Sequence, residues 1–392
     1  MTKESSPADA ERVVLTGVTG FVGQRILQEL LERRPEARLV LLVRESPGET
    51  AGRRVEGLLE RCCGAAERAA ARQRIDVFPA DLQEERCGLS ARDWAAAAEG
   101  VTRIIHAAAS VRFDLPLAEA RRANVGGTRQ LLDLGTEARR RGSLRSFVYL
   151  STAFVAGRRT GLVREEELSV GQRFRNSYER SKCEAELLIR SRSADLPTVV
   201  LRPGIIVGDS RSGATTSYNA LYWPLRAYAQ SRMRVAPGRS DTVIDMVPVD
   251  FVAEATLHFA WTSDAVGRSF HLCAGPGRTA TIGEIARAAA GFFHVPPAHL
   301  IPPFLFNWFV RPVLWTTVWG PRRRLLRQSR FFRPYLDMRL EFDTSEAQAV
   351  LAPAGIEPPA VQAYLERLFA YCLASDWGRR PAALPAEPRF RP

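Results

Sequence analysis

The sequence predicts an α/β protein built on a doubly wound parallel sheet, followed by a smaller, mostly helical C-terminal region. Three observations predict it. Short β-branched runs alternate with longer helical patterns from Val13 to Leu201, a glycine-rich turn joins the first such pair, and the rhythm breaks after Gly208. Strand–helix alternation with short connections is the signature of right-handed βαβ units. The 392 residues suit roughly two domains. With 46% hydrophobic and 25% charged residues, the chain has the composition of a globular protein with a full core.

The elements follow in order. Val13–Thr16 is apolar and runs into the glycine turn, and Gln24–Arg33 then places Ile26, Leu27, Leu30 and Leu31 on one helical face. Leu39–Val43 is a continuous apolar run, as a parallel strand buried on both faces requires. Arg74–Pro79, Arg103–His106, Ser146–Leu150 and Thr198–Leu201 repeat the strand pattern, separated by helical stretches at Gly52–Arg72, Ala91–Glu99, Asn124–Arg141 and Tyr178–Arg190. Beyond Gly208, Asp209–Thr216 reads as a Ser/Gly/Thr-rich loop, Val243–Val249 as one more strand, Asp250–Ala260 as a helix and Ser269–Cys273 as a short strand. Thr281 stands as N-cap of a helix that reaches Phe293. The expected division is residues 1–208 with about 243–260 as a cofactor-binding domain, and 209–242 with 261–377 as a substrate-binding domain. The Pro- and Arg-rich stretch 378–392 reads as a disordered tail.

Ile301–Trp319 is unusual. It holds Phe304, Leu305, Phe306, Trp308, Phe309, Trp315 and Trp319, and Arg322, Arg323, Arg324, Arg327, Arg330 and Arg333 follow. Arg311 and Pro312 interrupt it and Pro302 and Pro303 open it, against the roughly 20 unbroken apolar residues of a membrane span. A helix packed on the second domain, an apolar lid over a greasy substrate and an in-plane membrane anchor remain open; the anchor alone accounts for the arginines as well.

The net charge of +12, with a pI near 10.0, favours anionic partners: nucleotide phosphates, an acidic carrier protein or a lipid surface. The arginines are spread along the chain without a helix-turn-helix, zinc-finger or RNA-binding signature, which argues against nucleic acid. Six cysteines with no CxxC pair read as free thiols in a reducing cytoplasm, and the polar stretch Met1–Arg12 has no signal-peptide core. No metal-ligand spacing is present. Only two of the 55 basic residues are lysine, Lys3 and Lys182, so a retained lysine suggests a need for a compact ammonium group.

The chemistry begins at Thr16-Gly17-Val18-Thr19-Gly20-Phe21-Val22-Gly23, between the first strand and first helix, where a dinucleotide fingerprint belongs. Gly17 permits the tight turn, Gly20 lets backbone approach a pyrophosphate, and Gly23 lets the helix pack on the sheet, the arrangement of a Rossmann fold. Thr16, Thr19, Phe21 and Val22 line the same turn, and the helix N-terminus aims N–H groups at the phosphates. Arg44 ends the second strand where an acidic residue would select NAD; an arginine suits the 2′-phosphate of NADP(H). Asp81 is placed to accept a hydrogen bond from the adenine amine, with Leu82 against the ring. Ala107 and Ala108 leave room at the end of the fourth strand. His106, with nothing nearby to pair it into a triad, reads as an end-of-strand residue rather than a catalyst. Pro203, Gly204, Ile205 and Val207 form a turn suited to pass beneath a nicotinamide.

Ser151-Thr152 ends the fifth strand, and Tyr178 and Lys182, four apart, share one helical face. An ammonium there is expected to lower the phenol from its usual value near 10, so that Tyr178 exchanges a proton with a substrate oxygen held by Thr152.

These stretches, with Asn124–Thr128, Asn176–Glu186 and Leu201–Gly208, resemble the extended short-chain dehydrogenase/reductase superfamily over roughly Val13–Phe293, and within it the thioester-reductase and fatty acyl-CoA reductase branch. The resemblance implies Thr152 as carbonyl-orienting residue, Tyr178 as proton donor, Lys182 as ribose ligand and Asn124 as a residue that positions the lysine through a water. The run Tyr335–Asp343 is similar to the C-terminal part of bacterial members. The reading is NADPH-dependent reduction of an acyl-CoA or acyl-carrier thioester to aldehyde or alcohol. The alternatives are a 3β-hydroxysteroid-type dehydrogenase, a nucleotide-sugar epimerase, or a non-catalytic NADP-sensing protein.

Overall fold

The computed structural model describes residues 11–218, 222–230, 235–310, 312 and 335–380. The second half of the aromatic segment, the arginine run after it and the tail from residue 381 lie outside the described residues.

Seven parallel strands form the central sheet: β1 (Arg12–Thr16), β2 (Arg38–Val43), β3 (Ile75–Pro79), β4 (Arg103–His106), β5 (Ser146–Leu150), then β7 (Thr198–Pro203) after the short edge pair strand β6 (Gly161–Val163). The seventh is Ser269–Leu272, which adds beside β7, so the order across the sheet begins at that strand and runs β7, β5, β4, β1, β2, β3. The order reverses between β1 and β4, where Thr16 stands opposite His106 in register. A crevice opens at the carboxyl ends of the strands at such a switch point.

Side chains alternate across the sheet as the period of two requires. Val13, Leu15, Leu39 and Leu41 face one layer, with Ile26, Leu27 and Leu30 of α1 (Phe21–Arg33) and Phe251, Val252 and Phe259 of the helix Val249–Ala260. Val14, Val40, Leu42 and Phe147 face the other, against Leu131 and Leu134 of the helix Gly127–Arg140 and Ala185 and Ile189 of the helix Ser177–Ser191. A separate apolar cluster joins Tyr222, Met246, Ile285, Tyr364, Leu368 and Phe369 from the later part of the chain.

Several elements differ from the sequence reading for local reasons. The stretch Gly52–Arg72 is two helices, Ala51–Cys62 and Ala65–Gln73, because Gly64 turns extended and the Glu67 carboxylate accepts its N–H at 2.8 Å. The helix read as starting at Asn124 begins at Leu117 and widens into a π-helical turn over Arg122–Gly126, which carries Asn124 inward until it is 2% exposed. Val243–Val249 is not one strand. Val243–Ile244 pairs antiparallel with Ala280–Thr281, Met246–Pro248 pairs parallel with Ile205–Val207, and Asp245 between them turns its carboxylate to the Ala274 N–H at 2.9 Å. Thr281 caps the following helix as the sequence indicates, accepting the Glu284 N–H at 3.2 Å. The strand Leu340–Phe342 pairs with β6 and brings the C-terminal part of the chain to the sheet edge.

Phe270, on the edge strand, is fully buried and stacks on Phe259 with centroids 4.3 Å apart. Phe270→Ala is expected to cost about 3–5 kcal/mol of stability, read from urea unfolding midpoints; a loss below about 1 kcal/mol means that the edge strand is not held by this contact.

Candidate active site

The switch point is knitted by small groups. Gly17 has φ +76°, and a Cβ there would stand 2.6 Å from the Ala108 nitrogen and 2.7 Å from the Ala107 carbonyl carbon. A Cβ on Gly23 would lie 2.1 Å from the Gly17 oxygen. Both glycines are therefore required by the fold itself, whereas Gly20 is exposed and a Cβ would meet only the Gly17 oxygen at 3.2 Å. Gly20 is the N-cap of α1, no side chain caps that end, and its first turn holds no acidic residue. A glycine cradle leading to a helix end without a side-chain cap fits a pyrophosphate. Thr19, Phe21 and Val22 are half-buried around it, and the Thr19 carbonyl accepts from Gln24 at 3.1 Å.

Thr16 holds the two sides together. Its hydroxyl oxygen accepts the Ala108 N–H at 3.3 Å and lies 2.8 Å from His106 Nδ1. His106 Nε2 lies 3.2 Å from the Thr128 hydroxyl, which donates to the Asn124 carbonyl at 2.7 Å. That network requires a neutral ring that donates from Nε2 and accepts at Nδ1. Burial, and then the charge of Lys182, pushes His106 down to about 3. Two threonines thus hold His106 as a neutral strut at the end of its strand.

Arg44 is exposed just past β2, and its carbonyl accepts from the Arg54 guanidinium. Asp81 is half-buried and uses one carboxylate oxygen to accept the Gln83 N–H at 3.0 Å; Leu82 packs over Gly127. Asn124 accepts the Ser110 N–H at 2.8 Å and donates to the Ser181 hydroxyl at 2.8 Å, so it ties the loop after β4 to the Tyr178 helix. At the turn after β7, a Cβ on Gly204 would stand 2.7 Å from Asp245 Oδ1. Pro203 is buried there and Ile205 half-buried, while the Val207 side chain, 1% exposed, belongs to the cluster of Tyr222 and Met246.

The Thr152 hydroxyl lies close enough to the Tyr178 phenol to pull its pKa down, and the Thr152 oxygen accepts the Phe154 N–H at 3.3 Å. Burial pushes the Tyr178 phenol up to about 12, against the pull of Thr152, and the Glu179 carboxylate adds to the rise. The expected lowering of Tyr178 by Lys182 is not what the structure shows. The Lys182 ammonium donates to the Leu150 carbonyl at 2.6 Å and lies 4.1 Å over the Tyr149 ring. Burial brings it down to about 7, with Glu186 opposing.

Sequence reasoning missed two sets of residues. One turn past Lys182, Glu186 accepts the Ser151 hydroxyl at 2.8 Å and is paired with Arg202 of β7, whose Nε lies 3.0 and 3.1 Å from its two oxygens. Both stand inside stretches singled out by resemblance, and a buried carboxylate opposite a buried arginine had no separate signal. The second set is aromatic. Phe113 lies 5.5 Å from the Tyr178 ring and 5.7 Å from Tyr335, with Phe154 edge-on to Tyr335 at 5.3 Å. The Tyr335 hydroxyl donates to Glu179 at 2.6 Å and accepts from Asn176 at 2.8 Å. Tyr335 opens the run Tyr335–Asp343, the one hint that this segment belongs at the site.

The chain has relatives among known proteins and solved structures. The profile of the male sterility protein family matches residues 15–256. The chain is 33% identical over 275 residues to a linear gramicidin synthase polypeptide of Brevibacillus parabrevis, covering 69% of this chain and 5% of that protein. It is 29% identical over 280 residues to the fatty acyl-CoA reductase wat of Drosophila melanogaster, covering 64% of this chain and 54% of that one. The chain thus spans from a twentieth to about half of these relatives. Among solved structures, the terminal R domain of the myxalamid PKS-NRPS biosynthetic pathway superposes with a TM-score of 0.80 at 26% identity, covering 95% of this chain and 92% of that one.

Two outcomes are expected at this site. Glu186→Gln strands a buried guanidinium and is expected to cost about 3–5 kcal/mol in urea unfolding, most of it recovered on adding Arg202→Met. A single variant within about 0.5 kcal/mol of wild type contradicts that role. His106 and His271 are both depressed to about 3 by burial. Each therefore contributes stability that is complete above the ordinary value near 6.5 and is lost as pH falls towards 3, at up to about 1.4 kcal/mol per pH unit. His106→Asn is expected to remove about half of the loss that these two residues cause between pH 6.5 and 4.5; an unchanged slope contradicts the neutral-strut assignment.

Proposed function

The chain belongs to the male sterility protein family, and on that premise we propose that it is an NADPH-dependent reductase of acyl thioesters. The observation that carries the reading is the meeting of Thr152 and Tyr178, with Lys182 one helical turn on, at the same end of the sheet as the glycine cradle. The family supports a nicotinamide cofactor and oxidoreductase chemistry; the 2′-phosphate, the thioester and the residue roles are our assignment. The exposed Arg44 supports a 2′-phosphate ligand at the end of β2.

The cradle from Thr16 to Gly23 would hold the pyrophosphate, Asp81 and Leu82 the adenine, Lys182 the ribose and the Pro203–Ile205 turn the nicotinamide. Bound NADPH supplies a hydride, two electrons and one hydrogen, to the thioester carbonyl carbon. Thr152 holds the carbonyl oxygen, and Tyr178 gives it the phenolic proton as negative charge develops. A phenol raised to about 12 keeps its proton until that charge appears, which suits a donor in the reducing direction. The tetrahedral hemithioacetal then returns its hydroxyl proton to Tyr178 as the carbon–sulfur bond breaks. The thiolate leaves, takes a proton from solvent, and the aldehyde remains; a second hydride and proton would yield the alcohol. Phe113, Phe154 and Tyr335 make the surroundings of the phenol apolar, which favours an acyl chain over a sugar. The thiol carrier is coenzyme A or a phosphopantetheinyl protein, both anionic and matched to a chain of net charge +12.

The test is anaerobic mixing of the protein and NADPH with long-chain acyl-CoAs and acyl-carrier thioesters, following NADPH absorbance and product mass. Aldehyde or alcohol is expected from wild type, with a loss of roughly 10²–10⁴-fold in Tyr178→Phe. Arg44→Asp is expected to shift the NADPH/NADH preference by about tenfold or more, about 1.4 kcal/mol. If no thioester oxidises NADPH, the proposal fails and NADP⁺ with secondary alcohols becomes the next assay.

A further inference from the structure

Tyr335 reaches the site from the far part of the chain and is 8% exposed. It stands between two structures that carry the reacting hydroxyls. On one side is the turn Ala153–Ala156, which follows Thr152; its Phe154 ring meets the Tyr335 ring edge-on at 5.3 Å. On the other are Phe113, stacked on Tyr335 at 5.7 Å, and the helix Ser177–Ser191, whose Glu179 accepts the Tyr335 hydroxyl at 2.6 Å.

Each of these neighbours bears on a reacting group. The Phe154 N–H donates to the Thr152 oxygen at 3.3 Å, so the turn that holds Phe154 also holds Thr152. The Phe113 ring lies 5.5 Å from the Tyr178 ring, on the loop between β4 and the helix Leu117–Arg121. Glu179 follows Tyr178 directly. Its side chain is buried and also accepts the Arg175 N–H at 2.8 Å, and its own N–H is capped by Asn176 at 2.9 Å. The Asn176 amide then donates to the Tyr335 hydroxyl at 2.8 Å. That hydroxyl therefore donates to the first turn of the Tyr178 helix and accepts from its N-cap. A space-filling residue requires neither a plane nor a hydroxyl. Here the plane packs against two rings and the hydroxyl is used in both directions on one helix end, an arrangement that fixes orientation.

We propose that Tyr335 is a positioning residue: it holds Phe154, and with it Thr152, on one side, and Phe113 and Glu179, and with them Tyr178, on the other, so that two hydroxyls converge on one substrate oxygen. Its kinetic consequence rests on the reductase reading; its placement of Tyr178 does not. These partners lie outside the cradle Thr16–Gly23, so cofactor affinity is a separate readout.

The experiment compares Tyr335→Phe, which keeps the plane and removes the hydroxyl, with Tyr335→Leu, which removes both. NADPH affinity is read by fluorescence and thioester reduction by NADPH absorbance. The surroundings of Tyr178 are read by NMR of ¹³C-labelled tyrosine, its signal being the one that vanishes in Tyr178→Phe. Both variants are expected to bind NADPH within about twofold of wild type. With KM within about twofold, kcat is expected to fall about threefold or more in Tyr335→Phe and roughly 10²-fold in Tyr335→Leu, as a misplacement of about 1 Å would cause. The Tyr178 signal is expected to move in Tyr335→Leu and to move less in Tyr335→Phe. A signal unmoved in both variants overturns the role, as does a Tyr335→Leu kcat within about twofold of wild type. If Tyr335→Leu no longer binds NADPH, Tyr335→Phe decides: an unchanged kcat, or a loss of kcat matched by an equal loss of NADPH affinity, overturns the role. If wild type reduces no thioester while the Tyr178 signal still moves, the reductase reading fails and the placement of Tyr178 by Tyr335 stands.

Discussion

The ion pair between Glu186 and Arg202, both fully buried, is the constraint on which the arrangement of the site depends. Glu186 accepts the Ser151 hydroxyl at the end of β5, while Arg202 on β7 also donates to the Glu165 carbonyl at 2.9 Å. The Glu165 carboxylate in turn accepts the backbone N–H groups of His271 and Glu346, each at 2.7 Å. One buried charge pair therefore joins the Tyr178 helix, two central strands, the edge strand and the helix Ser345–Leu351. Such a pair adds little net stability over well-packed apolar residues, because desolvation offsets most of the attraction. What it adds here is register. Tyr178 and Lys182 lie two turns and one turn before Glu186, so rotating that helix would break the pair before it moved the phenol from Thr152.

The same low-dielectric surroundings set the protonation pattern. Burial raises Tyr178 to about 12, lowers Lys182 to about 7 and lowers His106 to about 3. All three shifts favour the neutral form, as desolvation demands. Tyr178 and His106 are therefore neutral near pH 7 while Lys182 is poised between its two forms, and charge that develops on a substrate oxygen meets donors already in place. The threonines that fix the His106 tautomer serve the same end at the switch point, since an unpaired buried imidazole would leave β1 and β4 less firmly joined.

The sheet was legible in the sequence because parallel strands buried on both faces read as uninterrupted apolar runs, and Val13–Thr16, Leu39–Val43 and Ser146–Leu150 all do. The glycine turn was legible because two of its glycines are demanded by contacts within the chain. What escaped was tertiary. Phe113 and Tyr335 are more than two hundred residues apart and no periodicity links them, yet both reach the Tyr178 neighbourhood. The split at Gly64 and the π-helical turn at Arg122–Gly126 are backbone events that a helical period runs through without a mark. The Tyr–Lys spacing correctly implied a shared face, but spacing does not reveal which acceptor an ammonium selects, and Lys182 takes the Leu150 carbonyl.

That choice bears on why a chain so poor in lysine keeps one here. The position is 2% exposed, bounded by the Leu150 carbonyl, the Tyr149 ring and the charge of Glu186. An arginine would bring a planar group with five donors into a space that offers one carbonyl, and it would stay charged at any working pH. A lysine fits as a single compact donor and, held near 7, passes between charged and neutral forms at little cost. A group with that freedom one turn from a phenol that must part with its proton can share the proton's charge without stranding a permanent cation in the core. Among the described residues of a chain in which arginine is the default cation, the one lysine thus stands where a compact donor suits the space.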